Sequence, residues 1–222
     1  MQLSERTIEI LKNFATINPS IVIERGQTIR AVSPPKTILA NAQIEEDFPN
    51  KFGIYDLPRF LGTLSLFTEP DLYFTDHFVT IKSGSQQSKF FYCDPELIMQ
   101  PPQNQIAVEN VIAEFTLTEH DLAAIMKGAN VLQVPEFVLE NREGDIVVTA
   151  KDSKNTSSNT FERKVGETTD AINFSAIIKA EYMKLAPGSY DVRLSSNGLV
   201  HFKQTSGSLQ YWIVTENSSK YQ

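Results

Sequence analysis

Cysteine is almost missing from this chain: Cys93 is the only one in 222 residues. An intrachain disulfide and a cysteine-rich zinc site are therefore excluded, and the usage fits a reducing compartment. Long apolar runs are missing too. No stretch approaches the ~20 residues that a membrane-crossing helix requires, and Met1-Gln2-Leu3-Ser4-Glu5 lacks the basic-then-apolar layout of a signal peptide. The expectation is a cytoplasmic protein with no membrane partner. Positive charge is in short supply, with 20 basic against 27 acidic residues and a net charge of −7. That balance excludes a protein that coats nucleic acid by bulk electrostatics, so any DNA contact must rest on locally segregated charge.

Catalytic constellations are equally scarce. There is no glycine-rich phosphate loop, H-E-x-x-H, CxxC or calcium-loop spacing. His77, His120 and His201 are far apart in sequence and lack ligand-type neighbours at metal spacing, so they read as ordinary strand or surface histidines. Cys93 is followed by Asp94, the opposite of the electropositive setting a reactive thiolate needs. Glu45-Glu46-Asp47, just before Phe48-Pro49, reads as a solvated loop rather than a metal site. No catalytic residue, metal or cofactor is expected, and the chain is not expected to be an enzyme.

What the chain does contain is a repetition. Phe78 to Lys82, a Gly/Ser turn and Ser88 to Tyr92 are echoed by Leu199 to Lys203, a Gly/Ser turn and Ser208 to Trp212. Both copies read as β-hairpins. Upstream of each lies a segment with the pattern of a capped amphipathic helix: Asp56 before Leu57–Phe67, and Ser175 before Ala176–Leu185. Each half also opens with a helix. Ser4 precedes a stripe of Ile8, Ile10, Leu11, Phe14 and Ala15, and Thr118, with Asp121 three positions on, precedes Leu122, Ile125, Met126 and Ala129. A period this long is not a solenoid repeat, whose units run roughly 20 to 50 residues. It predicts an α+β protein of two similar domains, each with two helices on an antiparallel sheet. The N-terminal domain spans residues 1–93 and the C-terminal domain 111–222. The Pro-interrupted stretch 94–110 between them is the connector.

Charge on the four expected helices differs from charge on the whole. They carry Arg6, Lys12, Arg59, Lys127, Lys179 and Lys184 against Glu5, Glu9, Glu119, Asp121 and Glu181. Glu5, Glu119 and Asp121 fall in first turns, where they complement the helix dipole. A solvated face explains one or two such bases on any single helix. Only a common orientation of all four would make them a binding surface.

Three blocks carry a resemblance to a known family: Leu3-Ser4 through Leu11-Lys12-Asn13-Phe14-Ala15-Thr16-Ile17-Asn18; Ile54-Tyr55-Asp56-Leu57 with Phe60-Leu61-Gly62; and Leu185 with Pro187-Gly188-Ser189-Tyr190. In this order they resemble the sliding clamps of T4-like bacteriophages, over nearly the full length. The chain departs from the family pattern between Asp152 and Asp170 and at its short C-terminal tail.

The resemblance implies two DNA-clamp domains per chain, assembling as a homotrimeric ring with strands outside and helices lining a hole for duplex DNA. Arg6, Lys12, Arg59, Lys127, Lys179 and Lys184 would then face phosphates without reading sequence. It implies closure by strand pairing between subunits, Lys89 to Tyr92 of one against Phe161 to Val165 of the next, with Phe90, Phe91, Tyr92, Phe161, Arg163 and Val165 at the seam. It implies a pocket for a partner's hydrophobic peptide near the connector, at Leu97, Ile98, Met99 and Val214. The implied partners are the replicative DNA polymerase, an ATP-dependent clamp loader and late transcription factors, in the cytoplasm of an infected bacterial host. The residues alone leave two rivals open, an acidic, oligomeric, β-rich structural protein of the virion and, more weakly, a small hydrolase using Asp94, His77 or Cys93, for which no nucleophile, base and orienting group can be assembled.

Overall fold

Ser4 sits in extended backbone and its hydroxyl accepts from the Thr7 N–H at 3.2 Å, which starts helix α1 (Glu5–Ile17) in a computed structural model of the chain. The structure describes residues 1–104, 106–168, 172–207 and 209–221. They fall into two units, Met1–Gln103 and Asn104–Gln222.

In the first unit, helical spacing puts Ile10, Leu11, Phe14 and Ile17 on one buried face of α1. Asn18 ends the helix; its amide donates to the Val32 carbonyl at 2.9 Å and accepts from the Ser20 N–H at 3.0 Å. Strands β1 (Ile21–Ile23), β2 (Gly26–Val32), β3 (Ile38–Phe48) and β4 (Phe52–Ile54) follow. β1 pairs antiparallel with β4, and β2 with β3. Asp56 then caps α2 (Leu57–Leu64), accepting from the Arg59 N–H at 2.9 Å, and Pro58 presets the first turn. α2 packs beside α1. Strands β5 (Asp71–Phe74), β6 (Phe78–Ser83) and β7 (Gln86–Phe91) form an antiparallel sheet in that order, and a 3₁₀ turn, Pro95–Leu97, follows.

The second unit begins with β8 (Val111–Leu117) and α3 (Glu119–Leu132), capped by Thr118 as its sequence predicts. Then come β9 (Glu136–Arg142), β10 (Asp145–Lys151), β11 (Phe161–Glu167) and β12 (Phe174–Lys179), followed by a 3₁₀ turn at Ala180–Tyr182. β13 (Tyr190–Ser195), β14 (Leu199–Gln204), β15 (Gln210–Val214) and β16 (Lys220–Tyr221) complete it. Strands run β11-β10-β9-β12-β16 in one sheet, and β8, β13, β14 and β15 are neighbours in another. Two buried phenols brace the turn before β13: the Tyr190 hydroxyl donates to the Ala186 carbonyl at 2.6 Å, and the Tyr211 hydroxyl accepts from the Ala186 N–H at 3.1 Å.

Both predicted hairpins form, β6 with β7 and β14 with β15. Ser208, where the second expected strand begins, and Asp170, at the end of the divergent stretch, lie outside the described residues. The helix expected over Ala176–Leu185 does not form. Ala176, Ile177 and Ile178 are buried in succession in β12, which lies between β9 and β16. A continuous apolar run of this length fits a strand buried on both faces as well as a helix, and two adjacent β-branched residues favour the strand. Ser175, expected to cap, instead donates its hydroxyl to Glu140 at 3.2 Å.

Candidate functional site

Losing that helix changes the charge reading. On α1, α2 and α3 the bases are Arg6, Lys12, Arg59 and Lys127, matched in number by Glu5, Glu9, Glu119 and Asp121. All four bases are exposed. Arg59 lies 3.3 Å from its own cap, Asp56, in a solvated pair of small energetic worth. Lys179 stands at the end of β12, 3.6 Å from Glu216 and over the Tyr182 ring, so its ammonium is already engaged; Lys184 lies in the loop beyond the 3₁₀ turn. Neither belongs to a helix row. Within the first unit the neighbouring helices α1 and α2 carry Arg6, Lys12 and Arg59, whereas Lys127 is the exposed base of α3 in the second.

The strands expected at the seam have a common construction. β7 is an outer strand of its sheet and so is β11. Each is backed by a helix of its own unit. The Phe90 ring meets Phe60 of α2 edge-on at 5.1 Å. Phe161 lies against α3 where Gly128 has no side chain; a Cβ there would stand 2.5 Å from the ring. Arg163 holds the start of α3 to β11, donating to Asp121 at 2.6 Å and reaching His120 Nδ1 at 3.1 Å. The hydrogen bond from Thr118 holds the Asp121 carboxyl below its usual range against the pull of burial, and Arg163 adds to it. Phe161, Arg163 and Val165 are half-buried and alternate with the exposed Glu162 and Lys164.

The three aromatics expected at the seam lie in three different environments. Phe90 turns inward, and Phe91 turns to the opposite face beside Phe78 at 5.4 Å. Tyr92 lies beyond the strand, stacked on Phe52 at 4.5 Å. What β7 offers along its outer edge is backbone. The Tyr92 N–H points to the His77 carbonyl, so alternation turns the N–H groups of Lys89 and Phe91 outward.

Of the connector residues, Leu97 and Met99 are exposed, while Ile98 is buried against the Gly53 position of β4 and anchors the connector to the first unit. Val214 is half-buried at the end of β15. A cleft of about 300 Å³ opens beside the connector between Val22, Thr28, Arg30 and Gln100, and Lys51 bridges its rim to Glu24 at 2.7 Å and Gln100 at 3.1 Å. Of the histidines, His77 and His120 are exposed and His201 is buried, stacked on Trp212. Burial pushes the Cys93 thiol up, with Asp94 adding to it.

One residue was missed as a contributor to structure. Glu46 does not sit in a solvated loop; it extends from β3 to the start of α1, where its carboxylate accepts from the Ser4 N–H and from the Thr7 hydroxyl, the latter at 2.6 Å. Burial raises its pKa, but these hydrogen bonds outweigh it and the net shift is downward. No local pattern links Glu46 to Ser4.

Comparison with known proteins identifies the family. Residues 4–89 match the family described as DNA polymerase processivity factor, and residues 114–217 match gp45 sliding clamp, C terminal. The sliding clamp of Vibrio phage KVP40 is 33% identical over 221 residues, covering 97% of this chain and 99% of that one. The chain belongs to the sliding clamp family of T4-like bacteriophages. The sliding clamp of Escherichia phage RB69 is 30% identical, covering 100% of this chain and 99% of its own. Among solved structures, A. fulgidus PCNA, bound to the C-terminal region of FEN-1, superposes with a TM-score of 0.72 at 16% identity, covering 99% and 100% of the two chains. The Helicobacter pylori beta clamp, bound to a DNA ligase peptide, gives 0.72 at 13%, covering 98% of this chain and 65% of that one. These two likenesses establish the clamp fold, and the family places the chain in DNA replication as a processivity factor. A structural protein of the virion is not favoured.

Proposed function

We propose that three copies of this chain close into a ring around duplex DNA and tether the replicative polymerase. The observation that carries it is the matched pair of strand edges, β7 backed by α2 and β11 backed by α3, one in each unit. Unlike edges joined head to tail give a heterologous contact, which closes into a ring when the rotation permits. Pairing would also cover edges that are otherwise an aggregation hazard. The exposed Arg6, Lys12, Arg59 and Lys127 face phosphates loosely, and the net charge of −7 keeps DNA from adhering to the rest of the surface. Lys179 and Lys184 contribute less, because they lie outside the helices. A ring that cannot leave DNA sideways can bind weakly and still hold a polymerase at high local concentration.

Loading falls to an ATP-dependent partner, since this sequence has no nucleotide-binding motif. A partner's hydrophobic peptide docks beside the connector, against the exposed Leu97 and Met99, and late transcription factors use the same platform. All of this takes place in the cytoplasm of the infected host. Electron microscopy of lightly crosslinked protein should show a six-lobed ring of trimer mass; monomers or tubes without an opening would overturn the ring. Exchanging Arg6, Lys12 and Arg59 together for Gln should weaken loading on nicked circular DNA and processive synthesis in the folded trimer. Unchanged synthesis would remove the DNA-facing assignment.

A further inference from the structure

Backbone and side-chain alternation agree on the two outer strands. In β7 the backbone groups of Gln87, Lys89 and Phe91 turn outward, and their side chains are exposed on the face away from α2, while Ser88 and Phe90 lie on the α2 side. The same rule holds for β11. The two-residue turn Glu143-Gly144 makes Arg142 and Asp145 a bonded pair of β9 and β10, so Val148 and Ala150 turn their backbone groups to β11, where Arg163 and Phe161 stand opposite them. The Thr168 N–H, donating to the Gly144 carbonyl at 2.8 Å, fits this alternation. Glu162 and Lys164 therefore turn their backbone groups outward, and their side chains are exposed away from α3, on which Phe161 and Arg163 rest. Residues bonded directly opposite each other across an antiparallel ladder share a face. Antiparallel joining of these two edges thus leaves α2 and α3 on one side of a continuous sheet, whereas parallel joining would set them on opposite sides.

We infer that β7 of one copy pairs antiparallel with β11 of the next in a single register, set by Lys89 opposite Glu162; the inference rests on the ring proposed above. This register also brings Phe90 opposite Phe161 on the helix side and Gln87 opposite Lys164. It sets Gln87 to Phe91 against Thr160 to Lys164, short of the irregularity at Val165 where β11 shifts against β10. A slide of one residue would put bonded positions opposite unbonded ones. A slide of two residues one way sets Lys89 against Lys164, like charges face to face, and carries Gln87 past Val165 to Gly166. A slide of two the other way sets Lys89 against Thr160 and leaves Phe91 beyond the end of β11. Both side chains can reach the pair. Arg142 and Thr149 engage Glu162 through Oε1, which leaves Oε2 for the neighbour's ammonium, and Lys89 has only the Phe78 ring, 4.7 Å away, to leave. The pair also discriminates, since an edge offering a base at this position is repelled.

The test combines Lys89→Cys in turn with Thr160→Cys, Glu162→Cys and Lys164→Cys, each in a Cys93→Ser background and oxidised under the same conditions. A disulfide reaches between Cα atoms no more than about 7 Å apart, so the Lys89/Glu162 pair should give a covalent trimer on a non-reducing gel roughly tenfold faster than the other two. Faster linking of either other pair, equal rates, or no linking in a protein of trimer mass would overturn the register and leave the ring standing. A wild type that light scattering finds monomeric at every concentration would overturn the ring, and the register with it. Exchange of charge gives a second reading. Lys89→Glu should weaken the trimer roughly fivefold, and Glu162→Lys added to it should restore the wild-type affinity. A Lys89→Glu trimer as tight as the wild type, or tighter, would place Thr160 or Lys164 opposite that position and overturn the pair.

Discussion

The two units back their outer strands with different helix layers. In the first, α2 stands behind β7; in the second, the corresponding segment of the repeat is β12, and α3 alone stands behind β11. The difference begins at single residues. Asp56 is followed by Leu57-Pro58, which sets a helical first turn, whereas Ser175 is followed by Ala176-Ile177-Ile178, which inserts beside β9. The repeated hairpin therefore survives in both units while the segment before it is a helix in one and a strand in the other. In the first unit bases stand on two neighbouring helices and in the second on one.

The largest expected effect breaks the edge itself. Lys89→Pro removes an N–H that points away from β6, so the sheet keeps its internal hydrogen bonds while the outer edge loses a donor. Light scattering should report a folded monomer in place of a trimer; an unchanged trimer would contradict the pairing of β7. A smaller effect is expected behind β11. Gly128→Ala forces a Cβ against the Phe161 ring and should cost about 1–3 kcal/mol in urea unfolding. Phe161→Ala in the same chain should restore part of the loss, because it opens the space the methyl group needs; a loss that the second change leaves untouched would mean the strain lies elsewhere.

The caps sharpen the comparison between the units. Asp56→Ala should cost about 1 kcal/mol, as the loss of a helix N-cap does, and Ser175→Ala clearly less, since Ser175 caps nothing. Equal losses would indicate that the repeat is closer than the structure has it. Smallest is the pH dependence of Glu46. Its folded pKa lies below its unfolded value, so its contribution is present above the ordinary carboxylate range and fades as pH falls through the folded value. Glu46→Gln should lower stability by about 0.5 kcal/mol at neutral pH, and the gap to wild type should shrink on acidification. A gap independent of pH would assign the loss to packing.

Much of this was legible in the chain. Ser4, Asp56 and Thr118 cap helices where their patterns place them, and the repeated hairpins form, because caps and alternation are local signals. The run around Ile177 was misread because a fully buried strand leaves no polar face to mark its period. Glu46 was missed because its partners lie about forty residues away in sequence and meet it only after β3 has formed. The split of Phe90, Phe91 and Tyr92 over three environments follows from alternation plus the end of the strand. Local pattern supplies the first part and not the second.

The two phenols at Ala186 give the second unit a built-in clock. The Ala186 N–H is held by the fully buried Tyr211 hydroxyl and its carbonyl by that of Tyr190, so the amide exchanges hydrogen for deuterium when its bond to Tyr211 opens. The lifetime of that one amide would report how often the turn before β13 lets go of its tyrosine, and an amide buried in β6 would give the corresponding record for the N-terminal unit, so local opening in each half can be followed inside an intact chain.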